Sequence, residues 1–211
     1  MTSSRATTFD LAAITTICFG YFIVSSFDAV MNGFPSARLT EEALLGLVVY
    51  EVAMGSLALA FLWMRHYPLM RLVPRPSGAS GVRGILLFLV AMSAAWLSMA
   101  LFPADQRAQH TALFEGEAIP LYAVLLLSVV NGLYEEVFLL AFLQHELMRH
   151  GVSFAIGASL LVRVLYHTYQ GHVGAVAVLV FGLVVAIYYA RTGELWPPVL
   201  AHMLADVAAL A

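Results

Sequence analysis

Six residues of this chain fall into three pairs whose types could do chemistry: Glu135 with Glu136, Arg163 with His167, and His202 with Asp206. Each pair interrupts a stretch that is otherwise apolar. An ionisable side chain at bilayer depth costs at least ~2.5 kcal/mol on insertion scales, so such groups persist where they face one another or a wet cavity. A carboxylate in low dielectric is a stronger base than in water, and beside a neutral imidazole it can activate water for attack on an amide carbonyl. A second imidazole on another helix can stabilise the resulting oxyanion. These residue types could therefore serve the hydrolysis of an amide bond.

The rest of the sequence supplies the membrane. Of 211 residues, 62% are hydrophobic and only 11% charged, and the mean hydropathy is +0.88. That composition predicts an all-α polytopic membrane protein. The net charge of −3 and the lack of any lysine or basic cluster exclude nucleic acid as a partner. The single cysteine, Cys18, lies in the first apolar run and reads as a small buried hydrophobe, so no disulfide framework is possible. Arg5 ahead of the run from Leu11 to Val24 predicts an uncleaved signal anchor.

Windows long enough to cross a bilayer predict seven transmembrane helices. They run from Leu11 to Met31, Ala43 to Met64, Gly84 to Phe102, Ile119 to Leu143, Val152 to Tyr169, Val173 to Ala190, and Leu195 to the C-terminus. The chain reads as one integral-membrane domain over residues 1–211, with the chemistry-bearing helices in 119–211. Its longest link, Pro68 to Val82, reads as a loop. No internal repeat suggests a transporter built from inverted halves. With the N-terminus inside, Arg5, Arg65, Arg71, Arg75, Arg83, Arg149 and Arg191 collect on the inner side, against Arg38 and Arg107 outside. That bias predicts an N-in, C-out protein of a bacterial inner membrane.

Gly151, after Arg149 and His150, is expected to end the fourth span and start an antiparallel pair with the fifth. Glu136 lies 15 residues before it and His167 lies 16 after, so both should stand roughly 22 to 24 Å from the turn, at one depth. Neighbours on a helix point about 100° apart, so one of Glu135 and Glu136 is expected to aim into the bundle centre and the other at a flanking helix. Arg163 shares a face with His167, as His202 does with Asp206. Pro197 and Pro198 suit the first turn of the last helix. Asn131 and Gln170 are candidates to line a water path, or equally to bond helix to helix. Glu51, in the second span, receives no role.

The segment Glu135-Glu136-Val137-Phe138 with Leu139-Leu140-Ala141-Phe142-Leu143, the His167 segment, and Gly193-Glu194-Leu195-Trp196-Pro197-Pro198 leading to Ala201-His202 and Asp206 resemble the CPBP family. These are the CAAX prenyl proteases and bacteriocin-processing enzymes, also called Abi proteins or glutamic intramembrane proteases. The likeness covers the chain from Leu121 onward. It implies Glu135 as catalytic glutamate with Glu136 beside it, His167 as its partner in activating water, and His202 with Asp206 as support for the oxyanion. It implies a membrane-anchored protein or peptide as substrate, with prenylated tails, leader peptides and sorting anchors all open, and no cofactor. Two positions depart from the pattern. An arginine and a glycine after the diglutamate are replaced by Leu140 and Ala141, and a phenylalanine four residues before the histidine is replaced by Arg163. The expectation is that Arg163 takes over as cationic partner of Glu136, because an unpaired buried guanidinium is strongly destabilising. Asp206 stands where asparagine is frequent, so it either carries a proton or orients His202.

Two rival readings stay open. Glutamate and two histidines on converging helices could hold zinc with one position free for water, although no His-Glu-x-x-His helix is present. A proton relay in a small transporter, or a non-catalytic scaffold of the bacteriocin-immunity type, would use the same residues without cleavage. Oligomeric state is not legible in the sequence.

Overall fold

The computed structural model describes residues 5–34, 39–112 and 118–210, and among them the regular structure is entirely helical. Arg38 lies outside the described residues. The elements are α1 (Thr8–Met31), α2 (Glu41–Met64), α3 (Gly78–Met99), α4 (Ala104–Ala112), α5 (Leu121–Glu136), α6 (His145–Leu147), α7 (Val152–His167), α8 (Gly171–Thr192) and α9 (Trp196–Leu210). Between α5 and α6 the chain continues without a break as a π-helix, Val137–Gln144.

Among the described residues, five continuous helical stretches are long and apolar enough to cross a bilayer: Thr8–Met31, Glu41–Met64, Gly78–Met99, Leu121–His150 and Val152–Thr192. The last folds back on itself at Gly171, whose φ of 72° is in the left-handed region that favours glycine. Gly182 then faces Leu160 and Arg163 across the α7–α8 hairpin. With α9, a shorter apolar helix, the passes correspond to the seven expected, and the chain is an integral membrane protein. Gly151 ends the preceding helix with a φ of 113°, as its position suggested.

Three local features differ from the expectation. The stretch from Pro68 to Val82 is not all loop, because α3 begins at Gly78. Ser77 caps it, accepting from the Ser80 backbone while the Ser80 hydroxyl accepts from the Ser77 N–H. The link after α3 contains α4, a short helix too polar for any hydropathy window to register. The π-helix is the third, and it bears directly on the site.

α5 lies at the centre. α2 runs parallel beside it: Leu44 and Val48 pack with Val124 and Leu127, and Gly55 lies against the Tyr134 ring. α9 runs antiparallel on another side, so close that a methyl group on Gly132 would stand 2.9 Å from Met203 Cγ. α3 closes the far side through Leu87, Ala91 and Ala95 against Phe181, Val185 and Ala201. α1 packs its Phe19 ring between Tyr134 and Tyr166, stacked on the latter at a centroid distance of 5.1 Å. Large apolar side chains such as Val49, Trp63, Leu86 and Leu97 cover the outside, as a lipid-facing surface requires.

Candidate active site

Both glutamates end α5 and both are buried, Glu136 with no exposure at all. Arg163, from the middle of α7, answers them together. Its Nη1 donates to Glu135 Oε2 at 3.2 Å and its Nη2 to Glu136 Oε1 at 2.7 Å. The expectation that only one glutamate could face inward is thus corrected: a planar guanidinium offers a fork wide enough to collect two adjacent carboxylates. The expectation that Arg163 pairs with Glu136 agrees with this geometry.

The two carboxylates then diverge. Glu136 Oε1 also meets His202 Nδ1 at 2.6 Å, while Glu135 Oε2 accepts from the Tyr166 hydroxyl. With Nδ1 turned to Glu136, His202 presents Nε2 to the remaining polar groups. Asn131 Nδ2 stands 3.4 Å from it, Asp206 Oδ1 3.6 Å and Glu135 Oε2 3.9 Å. Asn131 donates to Asp206 Oδ2 at 2.9 Å. Asp206 is therefore held by Asn131 and only in ion-pair range of the imidazole, beyond hydrogen-bond distance.

His167 is the member that the structure places differently. Its Nδ1 stands 2.9 Å from the carbonyl of Arg163, one turn back on its own helix, and its ring lies beside Tyr166 at 4.4 Å. No hydrogen bond joins it to Glu135, and among the described residues Nε2 has no hydrogen-bond partner. The equal-depth count assumed one straight α-helix from Glu136 to Gly151, whereas eight of those residues form wider π turns, which advance less per residue. Glu136 therefore stands level with Arg163 rather than His167. Gln170 donates to the Tyr169 hydroxyl at 3.1 Å. Asn131 lies within the cluster.

Two residues that sequence reasoning passed over belong here. Tyr166 carries no charge to mark it, yet its hydroxyl fixes Glu135. Glu51 is 2% exposed on α2, and its Oε2 has no hydrogen-bond partner. The parallel pairing of α2 with α5 sets it level with the turn that bears Asn131 and Glu135. A buried carboxylate with a free oxygen was the available signal, but only packing shows which way it faces.

The unfilled valences indicate what the cluster can do. Among the described residues, Glu136 Oε2 is sealed away without a partner, whereas Glu135 Oε1 takes no hydrogen bond and is not sealed. One oxygen of a well-anchored carboxylate is thus left open, on a glutamate whose other oxygen stands 3.9 Å from His202 Nε2. Ligand atoms of Glu135, Glu136 and His202 lie within 4.8 Å of one another, close enough to consider a metal. Arg163 already directs both N–H groups at those carboxylates, so a guanidinium holds the place of positive charge.

Residues 117–208 match the family model described as Type II CAAX prenyl endopeptidase Rce1-like. The match bears out the resemblance drawn from the diglutamate and the histidine segments, and it takes in α5 to α9 with all three residue pairs. α1, α2 and α3 lie outside it. No curated protein and no solved structure matches the chain.

Proposed function

We propose that this chain is a glutamic-type intramembrane endopeptidase that hydrolyses a peptide bond in a membrane-associated protein or peptide, without a metal. The observation that carries the reading is the open Oε1 of Glu135, on a carboxylate whose other oxygen is held by Arg163 and Tyr166. Glu135 takes a proton from water, and the resulting hydroxide adds to the scissile carbonyl carbon. The negative charge moves to the carbonyl oxygen. In its imidazolium form, which the three surrounding carboxylates would favour, His202 donates from Nε2 to that oxygen, with Asn131 Nδ2 3.4 Å from Nε2. Collapse of the tetrahedral intermediate breaks the C–N bond, and the proton held by Glu135 passes to the leaving amine.

Glu136 keeps the His202 ring in register through Nδ1, and Asp206 sets the amide of Asn131. His167, with Nδ1 committed to a backbone carbonyl, offers Nε2 to the water or to the departing amine. The arginine-bearing end of the bundle is read as cytoplasmic, which leaves the C-terminus outside.

Comparing the termini of membrane and surface peptides from cells carrying wild-type protein, Glu135→Gln or His167→Ala tests the reading. A set of termini present only in wild type is expected. Identical termini in all three, with both variants folded and inserted, would transfer the cluster to the scaffold or relay class. Metal content and chelator treatment of the same purified protein address the second reading, for which the Glu135, Glu136 and His202 triangle speaks. Stoichiometric zinc with chelator-sensitive cleavage would replace the metal-free mechanism.

A further inference from the structure

At the arginine-bearing end of the bundle lies a cavity of about 1050 Å³ that no residue of the glutamate cluster lines and that the proposed hydrolysis does not use. Five arginines from four separate segments line it: Arg5 ahead of α1, Arg71 and Arg75 in the link after α2, Arg83 on α3, and Arg149 after α6. A bias of positive charge toward one membrane face explains why arginines occur at this end. It does not explain why they surround a hollow.

The charge in that hollow is not cancelled by its own wall. Its two acids are already engaged. Glu146 accepts from the Ala6 N–H at 3.3 Å and from the Tyr67 hydroxyl at 3.0 Å. Burial and the neighbouring Glu146 carboxylate hold the Tyr67 phenol above its usual range, so it stays a donor. Glu194 receives the Arg83 guanidinium in a two-pronged contact at 2.9 and 3.0 Å and the Tyr188 hydroxyl at 2.9 Å. Arg5, Arg75, Arg83 and Arg149 alone outnumber the two occupied carboxylates among the described residues, which leaves a positive surplus. A concave, low-dielectric wall concentrates the field of that surplus. Ser77 and Ser80 bring the N-terminal end of α3, the positive end of its dipole, to the same wall.

Part of the cavity lining is apolar. Met70 and Val73 are exposed there, and Trp196 stands where α9 enters the membrane. Guanidinium groups match phosphate oxygens bidentately, and a ring of them beside an apolar stretch of lining suits a phosphate attached to something greasy.

We infer that this arginine-lined cavity is a binding site for a phosphate-bearing anion, set apart from the glutamate cluster. The inference is independent of the peptidase reading, because no residue of the cluster lines the cavity.

Thermal unfolding of the purified protein in a neutral detergent tests it, with added phosphatidylglycerol, phosphatidylcholine, inorganic phosphate or an acidic peptide as probes. Phosphatidylglycerol is expected to raise the midpoint, with the effect falling as salt rises. The double variant Arg71→Gln with Arg75→Gln is expected to need at least tenfold more lipid for the same shift. Arg5→Gln, in the segment ahead of α1, gives the same readout should the double variant fold poorly. Arg191→Gln, at this end but outside the cavity, is expected to respond as wild type. Inorganic phosphate matching the lipid identifies a soluble phosphate compound as ligand, and a response to the lipid alone identifies a headgroup. Stabilisation by the acidic peptide alone, by no probe, or equally in all variants would overturn the assignment.

Discussion

Arg163 reaches both glutamates from a helix position that the resembling family gives to phenylalanine, so its removal strands two buried carboxylates at once. Removing one partner of a buried ion pair costs about 3–5 kcal/mol. Arg163→Leu is expected to lose that much in thermal unfolding in detergent, together with its cleavage activity, and adding Leu140→Arg is expected to restore part of both. Arg163→Lys, which keeps a charge but has no fork, should fall between wild type and Arg163→Leu. Recovery no better in the double variant than in Arg163→Leu alone would show that the cation cannot be relocated. This partnership was legible because an arginine absent from one helix and present one helical turn from His167 is a visible exchange. Glu51 was not, since a single carboxylate in an apolar helix looks the same whether it faces lipid, a neighbour or the site. Tyr166 was illegible for a plainer reason: aromatic residues abound in this chain, and nothing in the letters says which hydroxyl meets a carboxylate.

At the scale of helices, the passes could be read from hydropathy, whereas their internal geometry could not. Val137 to Gln144 is apolar at every position but the last, so no periodicity betrays the change from α to π. That change leaves Glu136 level with Arg163, its expected partner, rather than with His167. Gln144 anchors the segment by donating to the Ala186 carbonyl on α8 at 2.9 Å. The approach of α9 to α5 is set by Gly132, where an added methyl would also press on the Met203 backbone nitrogen at 3.2 Å and the Val199 carbonyl at 3.3 Å. Asn131 and His202 meet only because the helices come this near. Gly132→Val is expected to destabilise the bundle by about 1–3 kcal/mol in detergent unfolding. Its activity should fall further than its folded fraction, because His202 and Asp206 are pushed off together. Activity falling only in step with folding would mean that the site tolerates the wider spacing.

Taken as a molecule, the chain places its polar cluster where α2, α5, α7 and α9 adjoin, and α1 braces it from behind. α1 lies outside the family-matched segment, yet the Cys18 carbonyl accepts the Tyr134 hydroxyl at 2.6 Å and Ser26 bonds both Thr168 and the Tyr169 backbone. Phe19→Ala, which opens a void beside Tyr166, is expected to cost about 3–5 kcal/mol of stability and to lower cleavage through the loosened Tyr166–Glu135 contact. Unchanged turnover per folded molecule would make the brace purely architectural. The same layout bears on how the protein is made. Glu136 leaves the ribosome 27 residues ahead of Arg163 and 66 ahead of His202. At translation rates of about 5–20 residues per second, its nearest countercharge arrives roughly 1 to 5 s later. For that interval α5 carries two carboxylates that lipid will not accept, so it must wait at the insertion machinery until α7 emerges, and the two enter the bilayer as one hairpin.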